Sequence, residues 1–551
     1  MDRVCLTNGG PAKRSGSGHS GRLRAGRPRP GGHRPDRHRN GPVRAMLAML
    51  LTALLLGGVV PYVTGPGRSY LSYLVLADRP DAQGSARAAD QVRVAGGRIV
   101  QEYPQIGEVL AYATGGFANR LRGRPGIAAV GATRTAPVAS PPGPLTGADG
   151  FRRSADAFAA DAFARSGGPA TAGGPSAMAS HGEAGWSADG EATVPDPGEG
   201  ISWNLAMIGA TERPTGSTAL LRTLVSPRAT LSTQALRRVL VAVLDSGVDD
   251  THPDLRSAVD PYASASCADG RPDARFGAWR PDPGVTESGH GTHVAGIIGA
   301  NRDGKGVTGV APGVRIGAVR LLGSLGQYYT ENIVCGLLWA ADHGAKAIND
   351  SYFADPWKYN CPEDQDQAAL IKAVGRAVAY AQRQGAVVVA SAGNDSQDLT
   401  GPRTDRRSPN DRFAGPPQTR RLGTECIRLP GELPGVLTVG AVDRNGLPAT
   451  YSNYGRGRIS LSAPGGDPDG GVRGAIVSDW PGGQYVALAG TSMAAAHVSG
   501  AVAVAAAAHP ELGPDRLAAL LAVAAAANCP FAAGSCADRQ YFGAGVLALA
   551  H

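Results

Sequence analysis

Apolar and polar positions change their rhythm three times along this chain. Between residues 66 and 137 short apolar runs crowd together. SYLSYLVLAD alternates aromatic, β-branched and small residues and predicts a strand. AQGSARAADQVRVAGG predicts a helix closed by Gly96 and Gly97. RIVQEYPQIGEVLAYAT adds strand, and GFANRLRGRPGIAAVGATRTAPV predicts helix, turn and strand. The order is β-α-β-β-α-β, a small α+β unit. Periodicity is then lost over residues 138–200, where Gly, Ala, Ser and Pro dominate. That composition predicts an exposed, cleavable linker.

A third rhythm holds over residues 201–551. Wholly apolar runs of strand length recur as VLVAVL (Val239–Leu244), VRIGAVRLL (Val314–Leu322), AKAIND (Ala345–Asp350), AVVVASAG (Ala386–Gly393) and VLTVGAV (Val436–Val442). Amphipathic stretches separate several of them. In AALIKAVGRAVAYAQRQG, Ile371, Val374, Val378 and Ala381 recur at helical spacing before Gly385. Apolar strands alternating with helices predict a mainly parallel sheet covered on both faces, an α/β domain. Reactive residues then belong at the carboxyl ends of strands.

Charge changes the picture little. The net charge is +8, but residues 1–44 alone carry eleven Lys/Arg against two Asp, a net of +9, leaving about −1 for the rest. A basic groove for nucleic acid is therefore not expected. That tail is rich in Arg, Gly, Pro and His and predicts disorder. The apolar run of residues 45–60 follows it, within a segment 45–65 that fits a secretory signal or an uncleaved signal-anchor. A translation start near Val43 would give a signal of ordinary length. A secreted or extracellular location is expected, with membrane contact only through residues 45–60 if they are retained. Seven cysteines include six outside the tail, an even number that suggests disulfides in an exported chain. The local pair is Cys529–Cys536, with Cys361–Cys426 and Cys267–Cys335 as the remaining pairing. No C-x-x-C pair favours zinc.

Four stretches carry the chemistry. Asp245 ends an apolar strand in VAVLDSGVDDTHPDL. His290 and His293 lie in SGHGTHVAGIIGA, Asn394 follows a strand in VVVASAGND, and Ser492 lies in GTSMAAAHVSGA. Singly each has an ordinary reading: a turn-capping Asp, a buried imidazole, a turn Asn, a helix-capping Ser. Together, in the order Asp, His, Ser with these flanks, they resemble the subtilisin-like serine proteases (subtilases, peptidase S8), whose chain order this is. The resemblance runs from about Ile201 to the C-terminus and implies a three-layer subtilisin-like fold.

The resemblance implies Ser492 as nucleophile, His290 as base, Asp245 as its orienter and Asn394 as an oxyanion donor. His293, His497 and Ser499 are expected to be structural. Ser351, Tyr352 and Phe353 would form one wall of the substrate pocket, and Ser391, Ala392 and Gly393 the other. Three departures stand out. Ala496 replaces a usual proline, expected to loosen the helix start. Phe353 stands where the family has glycine and would either narrow the pocket or turn outward. The polar, proline-bearing segment Asp395–Pro434 predicts a surface excursion. The 66–137 unit resembles the subtilase propeptide domain (inhibitor I9-like), a partner in cis. A protein or peptide substrate and a monomer are expected. No cofactor is required for catalysis. The family commonly uses structural calcium, and Gly465–Gly471 (GGDPDGG) is the one oxygen-rich candidate.

Overall fold

The computed structural model describes residues 69–138, 196–210, 231–285, 288–411, 419–528 and 538–549. The basic tail, the 45–60 apolar run, nearly all of the linker and Cys529–Cys536 lie outside them.

The first described unit has the expected element order. Strands β1 (Leu71–Ala77), β2 (Arg98–Tyr103), β3 (Glu108–Ala113) and β4 (Ile127–Ala132) form an antiparallel sheet ordered β2-β3-β1-β4. Helices α1 (Ala82–Val94) and α2 (Phe117–Leu121) complete it. Asp81 caps α1 by accepting the Gly84 amide, and Gly96 leaves the helix at a φ of +78°. Strand alternation divides the core. Tyr73, Val75 and Val109 face α1 and α2, whereas Leu74, Leu76 and Leu110 face the large domain.

The large domain is built on a seven-stranded sheet ordered β13-β12-β9-β8-β5-β7-β6. Its strands are β5 (Leu240–Asp245), β6 (Ala265–Ser266), β7 (Arg315–Arg320), β8 (Ala347–Asp350), β9 (Val387–Ser391), β12 (Leu437–Val442) and β13 (Leu461–Pro464). Every pairing is parallel. Val241 and Val243 face a core shared with α3 (His290–Gly299) and α6 (Thr491–Ala508); Leu240, Ala242 and Leu244 face α4 (Thr330–Asp342) and α5 (Gln365–Arg383). Both faces are thus covered, which is why these strands read as unbroken apolar runs. Helix α6 is apolar and long enough to cross a membrane, but 89% of it is buried inside the protein.

Two disulfides, Cys267–Cys335 and Cys361–Cys426, join the pairs expected. The 395–434 segment departs from expectation. It carries β10 (Arg403–Asp405) and β11 (Arg420–Leu422), and Arg403, Asp405, Cys426 and Arg428 are buried. Its charges are matched inside the fold: Arg403 with Glu432 at 2.7 Å, and Arg420 with Asp405. Part of this polar stretch is therefore interior rather than surface. The Ala496 expectation also needs correcting. Ala496 lies in the second turn of α6, not the first, so alanine keeps a backbone donor there and says nothing about the helix start.

Candidate active site

Asp245 is the last residue of β5 and is fully buried. Its two carboxylate oxygens lie 2.8 and 3.0 Å from His290 Nδ1. Oδ1 also accepts the Ser246 amide (2.7 Å) and the Tyr328 hydroxyl (3.2 Å). A carboxylate on Nδ1 holds the proton there and leaves Nε2 as the acceptor nitrogen of the neutral ring.

His290 opens α3, and the glycines around it are steric necessities. A Cβ on Gly289 would stand 2.6 Å from the Trp480 ring, and one on Gly291 2.4 Å from Gly247 O and 3.0 Å from Asp245 Cβ. Ser246 ties the two strands of chain together: its Oγ donates to Ser288 O (2.6 Å) and accepts the Gly291 amide (2.9 Å).

Ser492 sits in the first turn of α6, where Gly490 rather than Ser492 holds the cap position. Its Oγ donates to Ser351 O at 3.2 Å, and Ser351 Oγ donates back to Ser492 O at 3.1 Å. Ser351 Oγ accepts from Asn349 Nδ2 (2.8 Å), whose Oδ1 accepts from Ser499 Oγ (2.9 Å). The Ser492 backbone is thereby fixed to the end of β8. Asn394 Oδ1 accepts both the amide (2.9 Å) and the hydroxyl (2.7 Å) of Thr491. A backbone N–H can only donate, so Oδ1 must face it, and the Nδ2 donor points the other way.

The remaining expected residues fall as follows. His293 is fully buried; its Nε2–H donates to Val486 O (3.0 Å) and Ile476 O (3.2 Å), and burial pushes its pKa down to about 3. His497 Nδ1–H donates to Met493 O (2.7 Å), its Nε2 accepts from Asn204 Nδ2 (2.8 Å), and burial pushes its pKa down to about 4. Ser391 ends β9 and, with Ala392 and Gly393, is buried. Tyr352 is turned inward, its hydroxyl donating to Asp350 Oδ1 at 2.6 Å and its ring stacked on Tyr328 at 4.9 Å. Phe353 is half-buried, with the Arg428 guanidinium 5.8 Å from its ring centre.

Sequence reading assigned no role to Asp350 or Tyr328. Asp350 ends β8, fully buried, and burial pushes its carboxyl up to about 7. An Asp closing an apolar strand run was the available signal. The calcium candidate at Gly465–Gly471 contains a short 3-10 turn capped by Asp467. Asp467 Oδ1 accepts the Asp469 amide of its own turn (2.9 Å), and no group of three or more His, Cys, Asp or Glu side chains converges there among the described residues. The buried His252, Asp254 and Asp479 do converge, but an imidazole in the set is a poor calcium donor, and Asp254 Oδ2 already accepts the Val307 amide (3.0 Å) and the Tyr485 hydroxyl (3.0 Å).

The subtilase family model matches residues 237–545, more than half of the chain. Subtilisin Savinase of Lederbergia lenta is 34% identical over 266 residues, 48% of this chain and 75% of its own. Fervidolysin of Fervidobacterium pennivorans is 33% identical over 294 residues, of which this chain spans about a third of the length (34%) and which cover 48% of this chain. Among solved structures, the epidermin leader peptide processing serine protease EpiP of Staphylococcus aureus superposes with a TM-score of 0.58 at 19% identity, over 87% of this chain and 97% of that one. That likeness speaks for the fold alone. With the family model, the Savinase identity and the parallel sheet in agreement, the chain belongs to the subtilase family, the subtilisin-type serine proteases.

Proposed function

We propose that the protein is a secreted serine endopeptidase made as a zymogen, with Ser492, His290 and Asp245 as its triad. The observation that carries this is the buried Asp245–His290 pair, 2.8 Å apart, in which Asp245 closes β5 and His290 opens α3, the helix that packs on the Ser492-bearing α6. Ser492 Oγ attacks the peptide carbonyl while His290 Nε2 takes its proton. The C–N bond breaks, and the imidazolium returns the proton to the leaving amine. Water then repeats the sequence on the acyl-enzyme. Asp245 stabilises the imidazolium and fixes its tautomer. Asn394 Nδ2 and the Ser492 amide bind the oxyanion.

The 69–138 unit serves as propeptide and inhibitor in cis. Its Tyr103 hydroxyl donates to Gly270 O (2.5 Å), and Arg376 of α5 donates to Ala77 O (2.7 Å). Its exit segment is held by Asp411, which accepts the amides of Thr135 (2.7 Å) and Ala136 (3.0 Å). The test follows mass over time for the full chain and its Ser492→Ala variant, with labelling by a serine-directed phosphonate. Loss of the N-terminal unit and labelling in the wild type alone are expected. A folded wild type that neither sheds that unit nor reacts would instead mark a peptide-binding protein on a subtilase fold.

A further inference from the structure

Arg428 lies in the segment read as surface, yet it is only 5% exposed. Its guanidinium lies against Gly393 and near the Phe353 ring, residues read above as belonging to the two walls of the substrate pocket. A Cβ on Gly393 would fall 1.9 Å from Arg428 Nη1, so the cation rests on that glycine's backbone, which holds a φ of +103°. The Phe353 ring lies 5.8 Å from Cζ on the other side. Nε and Nη1 are buried with no hydrogen-bond partner.

The neighbouring acids are already committed. Glu432 Oε2 accepts the Arg428 amide (2.9 Å), but both its oxygens are taken by Arg403 at 2.7 and 2.9 Å, with Arg458 at 3.7 Å. Asp395 pairs with Lys358. No carboxylate among the described residues pairs with the Arg428 guanidinium. Asn453 Nδ2 also lies against Gly393 and donates to Ala392 O at 3.0 Å, adding a donor rather than an acceptor. A buried guanidinium with two unsatisfied N–H groups is costly. Its planar fork matches a carboxylate bidentately.

We propose that Arg428 forms the floor of the primary specificity pocket and selects substrates with Asp or Glu on the amino side of the scissile bond. This rests on the triad reading above. Ser492 Oγ would bond to the carbonyl carbon of that acidic residue, its peptide C–N bond would break, and the amine would leave with the proton carried by His290. The side-chain carboxylate takes no part in the transfer; it binds. Phe353 faces the guanidinium and narrows the pocket against large aromatic residues. The chain itself carries matching sites. Six acidic residues between 149 and 191, Asp149, Asp156, Asp161, Glu183, Asp189 and Glu191, are each followed by Gly or Ala.

The test uses the matured full chain and a peptide p-nitroanilide series differing only in the residue before the cut: Asp, Glu, Asn, Gln, Ala, Leu, Phe and Arg. Expected is a kcat/KM at least tenfold higher for Glu over Gln and for Asp over Asn, and a matured N-terminus that follows one of the six acidic residues. Arg428→Lys keeps the acidic preference; Arg428→Glu reverses it toward Arg. Equal rates on Glu and Gln, or a preference for Phe or Leu, overturn the proposal. So does a preference for Ala alone, which would make Arg428 a plug. Turnover without acidic preference sinks this pocket assignment only. No turnover on any member, with no phosphonate labelling of Ser492, sinks the protease reading and the pocket with it.

Discussion

Glu331 and Arg134 meet only while the N-terminal unit is docked, which makes them a handle on how firmly that unit is held. Glu331 is fully buried in α4; its Oε1 lies 2.7 Å from Arg134 Nε and 3.1 Å from Ser72 Oγ. Arg134 also lies over the Tyr329 ring at 4.0 Å. Arg134→Met removes the cation and leaves the carboxylate buried. Breaking one side of such a pair costs about 3–5 kcal/mol. At about 1.4 kcal/mol per tenfold, docking should weaken by a factor of about 10² to about 4 × 10³. Hydrogen exchange in the uncut Ser492→Ala precursor reads this directly, because the Thr135 and Ala136 amides are held by Asp411 across the interface. Their protection should fall by that factor, while amides of α1, on the far face of the unit, hold theirs. Adding Glu331→Gln to Arg134→Met removes the stranded charge and should recover part of the loss. A fall of less than threefold in the single variant, or no recovery in the double, would refute the argument that this pair secures docking.

Asn394→Ala should lower kcat by about 10²–10³ with little change in KM, the magnitude already established for a subtilisin oxyanion donor; steady-state kinetics on the preferred peptide check it. Asp350 supplies a pH dependence: its unfolded value is 3.8, and burial, opposed by the Tyr352 hydrogen bond and aided by Asp245, raises the folded value to about 7. The folded state then holds a proton the unfolded state has released, so unfolding free energy should fall as pH rises from about 4 to about 7, by on the order of a few kcal/mol, and level off above. Urea titrations of the Ser492→Ala chain across that range should show the slope, and Asp350→Asn should reduce it, the remainder coming from the carboxyls of Asp355, Glu108 and Asp479, which burial also raises. Replacing Cys361 and Cys426 together with Ser opens a 65-residue loop and should cost about 4 kcal/mol in the same titration.

The sheet was legible because its strands are buried on both faces. Val239–Leu244 reads as strand and is β5 within a residue at each end, since no polar position interrupts it. The triad blocks were legible for a related reason. Gly289 and Gly291 are dictated by contacts with Trp480 and Gly247, so the chemistry leaves a fixed local spelling. The 395–434 segment had no such spelling. Whether Arg403 or Arg428 is buried depends on Glu432 and Gly393, partners that no local periodicity announces. The same holds for Tyr352: its turn toward Asp350 and Tyr328 is decided by a stack between two chain segments.

These two kinds of legibility follow the division of labour in the site. Asp245, His290 and Ser492 hang from β5, α3 and α6, three elements whose positions are set by one apolar core. Moving any of them means repacking that core. Arg428 hangs instead from a segment held by the Cys361–Cys426 disulfide and by ion pairs such as Arg403–Glu432. The next residue, Leu429, is anchored in the core under α4 and α5, so the backbone here is fixed and the change that leaves the sheet undisturbed is one of the Arg428 side chain. The two groups also sit on different supports: the Asp245–His290 pair on the β5 edge and α3, and the Arg428 guanidinium against Gly393 after β9. On the proposed triad and pocket, selection by charge at Arg428 and bond cleavage at Ser492 are separable, and charge reversal at the floor should change which peptide is cut before it changes how cutting occurs.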